Sequence, residues 1–269
     1  MKTAKDPTGQ GRNRKKASRA ARLKLTAAQR HVKELFKRIP TTTRRQVDLV
    51  NNASTTIYDY DISPQELTDL NNSIQFINNK ELLESQSDMP AGWFWKERIE
   101  PPYRTGTAEE VNNFNQAVAA AGVIGTVIAG FPVQQIPIES VLLSEPYRAS
   151  LSKVYTTQYN LFKGLSENTS KQVIEQITLG VQAKESPAVV AGRINKRYGV
   201  AKSSADRIAN TEVNKAYNDA SMDTNTALAQ QYGVRAGVIH ISALIKPGTR
   251  DTHAARHGNA YTVDQQTRW

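Results

Sequence analysis

Apolar residues recur every three or four positions through most of this chain, in runs bounded by proline, glycine and serine, the pattern of a protein built mainly from amphipathic helices. Thr26 to Arg38 carries Val32, Leu35 and Phe36, followed by Ile39, and meets Pro40, so a short first helix is expected there. Thr41 to Thr43 reads as a polar break, and Val47, Leu49, Val50 and Ile57 suggest a second short element. Ser63-Pro64-Gln65-Glu66 combines a serine cap, proline at the first helical position and glutamate three residues after the cap. It predicts a helix of roughly five turns through Leu67, Leu70, Ile74, Ile77, Leu82 and Leu83.

Residues 86 to 106 hold Pro90, Gly92, Pro101, Pro102 and Gly106 around Trp93, Phe94 and Trp95, which predicts an irregular connection. The aromatic cluster either caps a core or docks a partner; burial is favoured because tryptophan is largely buried on average. Thr107 to Glu110 reads as a second capping box. From Ala117 to Val133 no charge occurs, at the lower bound of what a membrane span requires. Gly122, Gly125, Gly130 and Pro132 make this stretch a poor helix in water, and its marginal length favours a buried small-residue helix or helix-turn-strand over a membrane passage.

Pro132, Pro137 and Pro146 mark an expected boundary near residue 145. Beyond it, Leu151 to Leu165 and Lys171 to Val181 read as helices, and Ser186-Pro187 starts another that runs through Tyr198 to a stop at Gly199. Ser203 to Tyr232 is the longest helical run free of proline and glycine, with a stripe of mostly small apolar residues. After Gly233, Val234 to Ile245 reads as a strand, and Ala260 to Val263 is its expected hairpin partner.

Charge changes the picture at one end. The net charge is +10, yet residues 1 to 24 hold nine basic side chains and one acid, so the remaining 245 residues are nearly balanced at +2. Arg12, Arg14, Lys15, Lys16, Arg19, Arg22 and Lys24 crowd a segment with no large apolar residue before Leu23, which predicts a basic arm, disordered when free. Such an arm seeks phosphates, releasing counterions as it binds; an acidic protein surface and a purely solubilising role are the competing readings. No apolar stretch follows these charges, so no secretory signal is expected.

Candidate chemistry is sparse. With no cysteine, disulfides, thiolate metal sites and a cysteine nucleophile are excluded. Neither a glycine-rich phosphate loop with lysine nor a glycine-serine-glycine elbow occurs. His253 and His257 stand four apart and could form half a zinc site on a helix, with Asp251 or His240 as a third ligand. A hydrogen-bonded polar turn is the preferred reading, and neither a metal nor a cofactor is expected. Arg207 and Thr211 are one helical turn apart and can share a face, while Glu212 lies about 140° round from Arg207.

From about residue 150 onward, three features appear in order. The first is the run from Arg207 through Asn210, Thr211, Glu212 and Ala216 to Tyr217 and Asn218. The second is Gly233, and the third is Arg250 followed by His253 and Gly258. In these residues the chain resembles the Mu F-like phage head morphogenesis family. It departs from that pattern at Asn210, where arginine is usual, at His240, where tryptophan is common, and at Lys246 to Thr249, where aspartates are usual. The resemblance implies a low-copy virion protein that associates with the portal protein and takes part in head assembly. It further implies major capsid or scaffolding protein as contacts, oligomerisation in the virion, and double-stranded DNA met through phosphates. With the chain ending at Trp269, no fused nuclease domain is expected.

The expected architecture is therefore α+β and predominantly helical. It comprises a disordered basic arm over 1–24, a helical N-terminal region over 25–145, and a head-morphogenesis-like domain over 146–269 made of helices and a small β-hairpin. The expected function is that of a minor head protein of a tailed bacteriophage, found in the virion and in the host cytoplasm during assembly, and not an enzyme. The alternative is a metal-assisted nuclease or hydrolase using Asp251, His253, His257 and Glu212.

Overall fold

A computed structural model of the chain describes residues 10–48, 53–84, 91–123, 135–232, 237–239, 255–256 and 259–262. Its architecture is predominantly helical α+β, with two small antiparallel hairpins. The elements in order are α1 (Gln10–Lys37), β1 (Thr41–Asp48), β2 (Ala53–Tyr60), α2 (Pro64–Leu83) and α3 (Gly92–Phe94). A π-helical turn (Trp95–Ile99) leads into α4 (Glu100–Val123), then α5 (Ile138–Leu142), α6 (Glu145–Gln182), α7 (Pro187–Tyr232), β3 (Gly237–Ile239) and β4 (Ala260–Thr262). They fall into two compact units, each discontinuous in sequence: 1–102 with 153–215, and 103–152 with 216–269. The boundary expected near residue 145 falls inside the second unit.

In the first unit, α1 begins well before the expected start at Thr26, so residues 10–24 are helical rather than a disordered arm. Alanine, arginine and lysine are strong helix formers, and extending an existing helix needs no new nucleus. Small side chains also suffice to pack it: Ala17, Ala21, Leu25, Ala28, Val32 and Phe36 are all buried on one stripe. α1 packs on α2, and α2 opens with the expected capping box. The Ser63 N–H donates to Glu66 Oε2 at 2.7 Å, and the Glu66 N–H donates to Ser63 Oγ at 3.2 Å. Those bonds from Ser63 hold the Glu66 carboxyl below the usual carboxylate range.

Thr41 to Thr43 are not a break: they open β1, which pairs along its full length with β2 from Thr41↔Tyr60 to Asp48↔Ala53. β-branched threonines favour the pleated conformation when a partner strand exists, and single-residue polarity does not reveal that partner. A two-stranded hairpin is marginal alone, and this one is tied to the turn after α6. Lys184 Nζ donates to Asp59 at 2.7 Å, and the Tyr60 hydroxyl donates to the Glu185 carbonyl at 2.8 Å.

The helices expected over 151–165 and 171–181 are one continuous α6, and α7 passes uninterrupted through Gly199, which ends nothing. Gly199 costs about 1 kcal/mol of helix propensity, a cost offset by the buried row on either side of it, Val190, Ile194, Tyr198, Ala201, Ala205 and Ala209. Within the unit the two long helices form an antiparallel pair: Gly180 leaves no room for a Cβ beside Val190, and Arg193 donates to Gln176 at 3.3 Å. A polar seam fixes α2 against both. The Tyr198 hydroxyl donates to Asn78 Oδ1 at 2.8 Å, Asn78 Nδ2 donates to Ser170 at 2.8 Å, and Ser166 donates to Asn79 at 2.7 Å.

Residues 92–99 are helical rather than irregular, and Pro101 and Pro102 follow directly on the π-helical turn at the start of α4, each without an N–H to give to the preceding turn. The aromatic cluster is built into the core, as the burial of tryptophan suggested. Phe94 and Trp95 are buried, the rings of Trp93 and Phe94 meet Phe162 edge-on at 5.4 and 4.8 Å, and Trp95 meets Tyr155 at 5.4 Å.

In the second unit, Thr107 lies inside α4, buried, and its hydroxyl donates to the Tyr103 carbonyl at 3.2 Å, so no helix starts there. The core gathers Val111, Ile136 and Leu228, flanked by Phe114, Ile138, Val141 and Tyr232. Asn115 closes it by exchanging two hydrogen bonds with the backbone of Ile136, at 2.9 and 2.8 Å. The expected C-terminal hairpin is present as β3 paired with β4, Gly237↔Thr262 to Ile239↔Ala260. Of the apolar stretch 117–133, residues up to Val123 belong to α4 and the rest lies outside the described residues. Among the described residues no helix is long and apolar enough to cross a membrane.

Candidate functional site

Helix α7 positions four of the residues that carry the family resemblance. Arg207 and Thr211 are exposed on one face, one turn apart as expected, and Glu212 is buried on another. Glu212 belongs to the first unit, where its carboxyl accepts a hydrogen bond from Gln158 Nε2 of α6. Gln158 is itself buried, and its Oε1 has no donor among the described residues. The pair therefore sits in an almost dry setting in which every missing bond is costly.

Tyr217 belongs to the second unit and does a parallel job there. Its hydroxyl donates to the Glu109 carboxylate of α4, and Glu110 accepts from Ser221 at 2.9 Å and Asn225 at 2.5 Å. Burial first, then the Glu109 bond and the charges of Glu109 and Glu110, push the Tyr217 phenol up to about 12. A Cβ on Gly106 would collide with the Tyr217 carbonyl oxygen, so glycine there lets α4 and α7 cross this closely, and any side chain would force the backbones apart. The Tyr103 hydroxyl adds a bond to Asp223 at 3.1 Å, and burial beside that carboxylate raises its pKa strongly.

Each of these polar groups is used to join one helix to another. Gly106 and Glu110 read from the sequence only as marks of a connection and a helix start, and Glu109 and Gln158 drew no reading of their own. The first three stand at an apparent helix start and the fourth in a plain amphipathic run, so only their tertiary partners give them meaning. Arg250, His253 and Gly258, and with them Asp251, His257 and His240, lie outside the described residues. Among the described residues no group of three or more His, Asp or Glu side chains comes together as a metal site would require.

The basic residues of the presumed arm lie on α1 in the first unit. Arg12, Lys15, Lys16, Arg19 and Arg22 are exposed, while Arg14 and Lys24 are half-buried at the flanks. α1 is held to α7 by four polar bonds: Ser18 and Arg22 to Asp206, Gln29 to Asn195 at 2.6 Å, and Lys202 to Gln29 at 2.6 Å. Arg22 and Asp206 stand 3.4 Å apart, a partly exposed pair of modest strength. Between the two helices lies an open groove of about 510 Å³, lined by Lys15, Ser18, Arg19, Arg22, Leu23 and Thr26 and, from α7, Asn210.

Residues 171–268, which take in the end of α6, all of α7 and the C-terminal hairpin, match the family described as Phage Mu protein F like protein. The matched segment is 98 of the 269 residues, just over a third of the chain, and it contains every motif residue from Arg207 to Gly258. It is similar to that family in the region where the sequence itself suggested the resemblance. No curated protein and no solved structure matches the chain.

Proposed function

We propose that this chain is a minor head protein of a tailed bacteriophage, a component of the virion that acts in head assembly at the portal without catalysing a reaction. The observation that carries the proposal is the match of residues 171–268 to the Mu F-like family, over a segment whose polar motif residues Glu212 and Tyr217 are engaged in helix-to-helix bonds. Side chains spent on such bonds serve a scaffold, and a scaffold with a near-neutral body suits an assembly role. The packaged genome is met through α1, by phosphate contacts without base readout. Before the virion matures, the protein resides in the host cytoplasm, where the portal protein and, around it, the capsid and scaffolding proteins are its partners.

The test is co-expression of the full chain with the portal protein of the same phage, followed by affinity purification through the portal. Retention of the chain at high salt supports an assembly contact with the portal. Absence of the chain from portal complexes and from purified heads rejects the proposal.

A further inference from the structure

We infer that the outward face of α1 is a preformed seat for a polyphosphate backbone, matched in length to about one turn of duplex DNA and extending well past the basic N-terminal cluster to Lys33. The inference rests on the genome-contact part of the proposed function and locates it on a surface.

At about 100° per residue, Arg12, Lys15, Lys16, Arg19 and Arg22 fall within roughly a third of the helix circumference. They are centred opposite the buried stripe of Ala17, Ala21, Leu25 and Val32. The same face continues into Arg30, exposed, and Lys33, half-exposed, so the row does not stop where the charge-dense segment ends at residue 24. At 1.5 Å per residue, Arg12 to Lys33 spans about 32 Å, close to the roughly 34–36 Å of one duplex turn. Duplex DNA carries one negative charge per about 1.7 Å of axis, both strands counted, so a stretch of this length holds about 19 phosphates around its whole circumference, and the row meets those on the side turned to α1.

Two features favour DNA over an acidic protein surface. Among the described residues of α1, Leu23 is the one large apolar side chain that is exposed. Protein interfaces instead concentrate their energy in buried aromatic and apolar anchors. The row is also already helical and tied to α7 through Asp206, Asn195 and Lys202, so little ordering entropy is lost on binding, in contrast to a disordered tail. The groove beside Lys15, Arg19 and Arg22, with Thr26 and Asn210 as neutral donors, is where phosphate oxygens would sit closest.

The experiment measures binding of the full chain to mixed-sequence duplex DNA and to polyglutamate across a series of salt concentrations. The chain is compared with two variants: Arg12→Gln with Lys15→Gln and Arg19→Gln, and Arg30→Gln with Lys33→Gln. Each lost phosphate contact should flatten the slope of log K against log salt by about 0.9. The expected losses are thus about 3 for the first variant and about 2 for the second, with polyglutamate binding at least tenfold weaker than DNA. A control with Arg30→Lys and Lys33→Arg keeps the charge and should keep the slope. If the Arg30/Lys33 variant binds with unchanged slope, or the charge-keeping control loses slope, the extended seat is wrong. Equal binding of polyglutamate overturns it in favour of an acidic protein partner. Portal co-purification by the same variants reads the proposed function separately, since these residues lie outside the matched segment.

Discussion

The sharpest consequence of the α7 geometry concerns Glu212. Replacing it with alanine removes the acceptor of the Gln158 amide in a region where both side chains are more than nine-tenths buried. An unsatisfied buried donor costs about 1–3 kcal/mol, and the truncation leaves a small cavity, so Glu212→Ala should destabilise the chain by about 2–4 kcal/mol. Glu212→Gln keeps both the volume and an acceptor oxygen, and should cost about 1 kcal/mol or less. Replacing the pair together, Gln158→Leu with Glu212→Leu, removes the need for the bond altogether, including the orphaned Gln158 Oε1. The double variant should therefore fall within about 1 kcal/mol of the parent, with a coupling of about 1–3 kcal/mol between the single substitutions. Urea unfolding followed by far-ultraviolet circular dichroism measures all of these. The reasoning fails if Glu212→Gln unfolds at the parent's urea concentration yet abolishes head assembly, because the carboxyl would then be needed for chemistry rather than for a bond.

Three other outcomes follow from the packing. Gly199→Ala should stabilise the chain by up to about 1 kcal/mol, since the glycine is mid-helix with open space around its Cβ position; a loss on thermal unfolding would mean that a helix ends there. Gly106→Ala should cost about 1–3 kcal/mol despite its better propensity, because the new methyl meets the Tyr217 backbone, and a gain in denaturation midpoint would contradict the close crossing of α4 and α7. The Tyr217 phenol is raised from its ordinary 10.0 to about 12. Its contribution to stability is therefore complete below about pH 10 and lost as pH rises through about 12. Tyr217→Phe should remove that share of the alkaline loss, and alkaline unfolding profiles identical to the parent's would refute the Glu109 bond.

Much of this architecture was written locally in the chain. The Ser63–Glu66 box, the Pro40 stop, the burial of Trp95 and the pairing of residues near 238 and 261 each rest on signals a few residues long. Other features depend on partners far away in sequence. Alanines at 17 and 21 are core residues only because another surface receives them, the threonines of β1 are a strand only beside β2, and Gly164 and Gly199 sit inside helices whose length is set by packing. The motif on α7 could be recognised from residue identities, while the roles of Glu212 and Tyr217 could not, since Gln158 and Glu109 are 54 and 108 positions away.

The most direct test of the account is the protein content of purified phage heads from the virus that encodes this chain, measured by quantitative mass spectrometry together with particles made when the gene is deleted. The account predicts the chain at low copy number in each head, and defective heads without it. Normal, infectious particles that never contained the chain would contradict it.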